Sequence, residues 1–130
     1  MATTAFLVLS ALVWLPYGLY CLAEPGFLAQ AAGVASSSST GTTELRAMYG
    51  GVQAALGAAS ALAVVRRELR GHVLFALATV AAGLFVARVV GVVLDGGLSA
   101  YTAFALALEI TLAVAAGLLY RSAGPAAAGA

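Results

Sequence analysis

Four uninterrupted apolar runs limit what this chain can fold into more than any motif does. Each approaches the roughly 20 residues that a helix, rising about 1.5 Å per residue, needs to cross a hydrocarbon core. They fall near Ala5–Ala23, Glu44–Val65, His72–Leu94 and Ser99–Tyr120. The runs are continuous and lack the period-two alternation of barrel strands, so they read as helices. Glu24-Pro25-Gly26, the segment from Arg66 to Gly71, and Asp95-Gly96-Gly97 punctuate them. The expected fold is all-α: an integral membrane four-helix bundle, one domain over residues 1–121, with a disordered tail over 122–130.

Composition closes off the soluble alternatives. Hydrophobic residues make up 63% of the chain and charged residues 8%, against about a quarter charged in an ordinary domain. A net charge of +1 offers no basic field for nucleic acid. Cys21 and His72 are each the only residue of their type, which excludes an internal disulfide and a His/Cys zinc site. Nucleotide-binding loops and a serine triad are equally lacking, so no cofactor is expected. Arg66, Arg67 and Arg70 crowd one short loop and Arg121 follows the last run, whereas residues 23–43 and 95–100 hold no arginine. The positive-inside rule then puts that loop and both termini in the cytoplasm. The first run has no basic segment before it and includes Trp14, Pro16 and Tyr17, so it reads as a permanent helix and not a cleaved signal.

Lipid tails are as apolar as leucine, so helices in a bilayer associate through small residues and polar contacts. The second run supplies Gly50, Gly51, Ala54, Ala55, Gly57, Ala58 and Ala61, and in the third Gly83, Ala87 and Gly91 recur every fourth residue. On the fourth, Thr102, Ala105, Glu109, Ala113, Ala116 and Gly117 share a stripe expected to face the bundle and take Glu109 inward. Ser10, Trp14, Tyr17, Gly18 and Cys21 form the matching face of the first, where Pro16 is expected to bend the helix. Phe27–Ala32 is apolar enough to lie at the membrane interface, and residues 36–43 read as a flexible polar connector or lid.

Two charges fall inside spans. Unpaired, Arg88 and Glu109 together represent on the order of 5–7 kcal/mol on insertion scales, which calls for a partner or a purpose. Counting helical rise, Arg88 lies roughly 10 Å below Asp95, Glu109 roughly 15 Å below Ser99 and Gln53 roughly 13 Å below Glu44. Arg46, Tyr49, Gly50 and Gln53 share a face expected to point at the helices of Arg88 and Glu109. The candidate catalytic residues are Glu109, Arg88, Glu44 and Asp95; the candidate substrate-binding residues are Trp14, Tyr17, Arg46, Tyr49, Gln53 and Tyr101. Such a set offers a carboxylate to exchange a proton, a fixed cation to steady negative charge, and a phenol to relay.

The segment Glu44-Leu45-Arg46-Ala47-Met48-Tyr49-Gly50-Gly51, followed by Ala55 and Gly57, resembles the E-x-R-x-x-Y-G-G signature of a family of small bacterial four-helix membrane proteins, the domain-of-unknown-function 4345 family. Arg88 with Gly91, Asp95-Gly96 and Glu109 look like the later motifs of that family. The resemblance implies a fold and a bacterial inner-membrane location, and no established activity.

The residues themselves point to a membrane-embedded acid–base site for a lipophilic small molecule, entered from the outer side. The reaction expected is an isomerisation, cyclisation or epoxide opening with Glu109 as acid or base. The alternatives are a proton-coupled small-molecule transporter and an accessory subunit whose ion pair is structural. Expected partners are membrane lipids and a lipophilic small molecule, with homo-oligomerisation left open.

Overall fold

The computed structural model describes residues 1–123, and all regular structure among them is helical. Helix α1 spans Ala2–Ala23, α2 Phe27–Ala32, α3 Ser39–Val65, α4 Arg70–Asp95 and α5 Ala100–Ala123. All but α2 are long and apolar enough to cross a membrane. The ends differ from expectation in two places. Ser122 and Ala123, expected in the tail, continue α5, where Ser122 Oγ donates to Leu118 O at 2.8 Å; the rest of the expected tail, 124–130, lies outside the described residues. The polar stretch expected to be flexible is helical from Ser39, because Ser38 Oγ accepts from Gly41 N at 3.1 Å and caps the new helix.

The helices divide into two units, Met1–Arg67 and Glu68 onward. In the first, α1 and α3 run antiparallel. The buried face of α1 is Leu7, Ser10, Trp14, Gly18 and Cys21; it differs from the expected face in gaining Leu7 and in leaving Tyr17 only half-buried, and α1 continues unbroken through Pro16. Its partner face on α3 is built from small residues. A Cβ at Gly18 would come 2.8 Å from both Gly50 O and Ala54 Cα, and one at Gly57 would come 2.6 Å from Leu15 Cα, so only glycine permits this approach. Ala55, Ala58 and Ala61 of the same run are exposed and take no part in the contact.

Residues Arg46–Gly51 of α3 form a π-helical segment, in which Val52 N donates to Ala47 O. A π turn accommodates an extra residue, so the faces on either side are offset by about 100° from a regular 3.6-residue count. Gly50 lies in this segment against α1, where a Cβ would come 2.6 Å from Leu22 Cγ.

In the second unit α4 and α5 are antiparallel, joined through Gly96, which ends α4 at φ 67°. Leu74, Leu77 and Ala81 are buried on α4, and Glu109, Leu112 and Ala116 on α5. The rings of Phe75 and Tyr120 meet at 5.6 Å near the far end. The row Gly83, Ala87 and Gly91, expected to pack, is not the face that α4 turns to α5. Gly83 and Ala87 are exposed, and a Cβ at Gly83 or Gly91 would meet nothing within 4 Å. The reason is angular: Arg88 turns toward α5 to reach Glu109, and its neighbour Ala87 is rotated about 100° away.

Candidate functional site

Two side chains on antiparallel helices meet when their depths match and their directions converge. Arg88 precedes Asp95 by about 10 Å of helix and Glu109 follows Ala100 by about 14 Å. Side chains lean toward the N-terminus of their own helix. Arg88 therefore leans away from the α4–α5 turn and Glu109 toward it, which closes the remaining gap. The result is a two-pronged ion pair. Arg88 Nη2 donates to Glu109 Oε1 at 2.7 Å, and Nε lies 3.2 Å from Oε1 and 3.1 Å from Oε2. Glu109 is 5% exposed and Arg88 28% by side chain, so the carboxylate is the desolvated member and the guanidinium stands at the edge. Charge-assisted bonds of this fork geometry are about twice as strong as neutral ones.

The other candidates divide between the units. Beside the pair in sequence, Asp95 ends α4 and is exposed, and Tyr101 is half-buried in the first turn of α5. The first unit holds Trp14, Tyr17, Glu44, Arg46, Tyr49 and Gln53. Glu44 is exposed on α3 and Tyr49 half-buried within the π segment. Trp14 Nε1 and Gln53 Oε1 are buried without a hydrogen-bond partner, as is Ser10 Oγ. Glycine contacts pair residue 18 with 54 and 15 with 57. Gln53 is therefore level with the residue after Gly18, and Trp14 with the residue after Gly57. Each side chain then leans toward its own N-terminus, away from the other.

Arg46, expected to line a substrate site, has a definite local partner. Its Nη1 donates to Leu22 O and to Ala23 O, the latter at 3.1 Å. Helix α1 has no basic residue in its last turn, and its terminal carbonyls have no partners of their own within the helix. Arg46 reaches across from α3 to satisfy two of them. That lack of a basic residue is the sequence signal that points to a cap from elsewhere. The stripe Arg46, Tyr49, Gly50 and Gln53 is also not one face of a regular helix, because the π segment runs through it, and its Arg46 and Gly50 are engaged with α1. Arg46→Met is expected to cost about 1–2 kcal/mol and to speed hydrogen exchange at Tyr20–Glu24 while leaving α4 and α5 unchanged. Unaltered exchange at the end of α1 would remove the capping role.

Among the described residues no group of three or more His, Cys, Asp or Glu could hold a metal ion. Comparison with known protein families matches residues 2–120 to "Domain of unknown function (DUF4345)". No curated protein and no solved structure matches the chain. With nearly its whole length matched, the chain belongs to the DUF4345 family.

Proposed function

We propose that this DUF4345 chain is a multi-pass protein of a bacterial inner membrane, with both termini cytoplasmic, whose ion-paired Glu109 moves a proton on a neutral lipophilic molecule. The orientation rests on arginine placement: Arg66, Arg67 and Arg70 lie between α3 and α4, and Arg121 lies at the end of α5. The function rests on one observation, the fork between Arg88 and a carboxylate that is only 5% exposed, well inside two helices of spanning length. Ionisable groups at such depth are costly and mark functional sites by default.

Glu109, bridged to Arg88 through both oxygens, enters as the base. It accepts a proton from the bound molecule, and Arg88, released from one prong, steadies the negative charge left behind. Returning the proton to a different atom completes an isomerisation; in a molecule carrying its own hydroxyl and epoxide, the deprotonated oxygen attacks an epoxide carbon and closes a ring, and the oxygen set free takes the proton back from Glu109. Glu109→Gln keeps the shape and removes the base, so turnover of the co-purifying lipophile is expected to fall by a factor of about 10²–10⁴. Mass spectrometry of lipophilic compounds carried by the wild-type, Glu109→Gln and Arg88→Ala proteins checks this. Identical compounds in identical amounts on all three, each with native circular dichroism, would sink the reading.

The geometry also favours a second reading, because both carboxylate oxygens are already bonded to Arg88. A pair so satisfied is also suited to a purely structural role, fixing the register of α4 against α5. Under that reading, replacing both residues by leucine preserves the phenotype as well as the fold. Proton release from reconstituted vesicles on addition of an amphipathic solute would instead favour transport over either.

A further inference from the structure

A groove of about 210 Å³ opens where the first unit connects α1 to α3. Pro25, Ala29, Val34 and Leu45 give it apolar walls, and Ser36 and Thr42 give it two hydroxyls. No lining residue is charged. The bonding of the two hydroxyls is uneven. Ser38 O accepts from Ser36 Oγ at 2.6 Å, from Thr42 N at 3.0 Å and from Thr42 Oγ1 at 3.1 Å. A carbonyl oxygen has two lone pairs, so three donors compete for two places. The Thr42 hydroxyl holds the longest of these bonds. It can turn into the groove, as donor or acceptor, without leaving Ser38 O unsatisfied.

We infer that this groove binds the uncharged, oxygen-bearing head of a neutral acylglycerol, with Thr42 as its hydrogen-bonding residue. Three features select that class. The apolar walls suit the glycerol carbons and the first methylenes of a chain. A single redirected hydroxyl matches an ester or hydroxyl oxygen. The flanking charges then decide against an anionic head: Glu24 precedes Pro25 and Glu44 precedes Leu45, both exposed, while Arg46 is bonded to the carbonyls of α1. The volume of about 210 Å³ suits a small polar head and falls short of a whole acyl chain. Because the groove lies at the ends of two helices of spanning length, the remaining chain continues along their exposed apolar surface. Its lining residues all belong to the first unit, whereas Arg88 and Glu109 belong to the second.

The test uses the full chain in phosphatidylcholine nanodiscs and a photoreactive monoacylglycerol, with labelled peptides identified by mass spectrometry. Labelling is expected to concentrate within residues 25–45 and to be competed by monoolein, but not by hexadecane or phosphatidylglycerol. Thr42→Val, of the same shape, is expected to weaken competition about five-fold, and Thr42→Ser to keep it, as loss of one neutral hydrogen bond predicts. Ala29→Trp, which fills the groove from an exposed position on α2, is expected to abolish the local label. Labelling spread evenly over the spans, equal competition by hexadecane, or an unchanged label in Ala29→Trp would each overturn the proposal. Preferential competition by phosphatidylglycerol would overturn the choice of a neutral head.

Discussion

Arg88→Leu is expected to cost the second unit about 3–5 kcal/mol. It strands a carboxylate that is 5% exposed without its charged partner. Glu109→Leu removes the other partner and is expected to cost less, about 1–3 kcal/mol. The Arg88 side chain is 28% exposed, and its long stem can carry the charge to more polar surroundings. Removing both groups together is expected to return stability to within about 1 kcal/mol of the wild type, since a well-packed apolar pair replaces a desolvated ionic one. Reversible unfolding of the four proteins in mixed micelles gives the full cycle. Equal stability of all four would mean that the pair contributes nothing to holding α4 against α5. The double variant is also the one that separates the two functional readings, because there a folded protein without activity argues for chemistry at Glu109, and a folded protein with full phenotype argues for register alone.

Gly18→Val and Gly57→Val are expected to separate α1 from α3 and to cost about 3 kcal/mol or more each, at or beyond the upper end for overpacking. The atoms in the way are main-chain atoms: Ala54 Cα and Gly50 O opposite Gly18, Leu15 Cα opposite Gly57. Backbone cannot rotate aside as a side-chain tip does, so the helices must part. Gly83→Ala and Gly91→Ala provide the contrast. Nothing lies within 4 Å of a Cβ at either position, and both sit inside α4, so alanine is expected to raise stability by about 0.5–1 kcal/mol through backbone entropy. Thermal unfolding of the four variants checks the pairing. A tolerated Gly57→Val would show that the close approach of α1 and α3 is not what holds the first unit together.

Four helices of spanning length, their order and their breaks followed from local sequence, because a continuous apolar run in this length range has one economical backbone solution. The inward turn of Glu109 was equally legible. A carboxylate in the middle of an apolar helix has to face protein, and the small residues spaced around it marked the side. The helical start at Ser39 was not read from residues 36–43, since serine and threonine runs suit a loop as well as a cap until the backbone chooses.

The sequence by itself therefore determined the four helices of spanning length and that Arg88 and Glu109 needed each other. Tertiary structure alone decided which small-residue row packs: glycine every fourth residue is equally a contact face and a bare one, and only the partner backbone beside Gly18 and Gly57, missing beside Gly83 and Gly91, distinguishes them. It also decided the fate of Arg46. The π segment of Arg46–Gly51 shifts the helix phase by a residue, and no pattern of period 3.6 can reveal a shift that arises from hydrogen bonds made five residues apart.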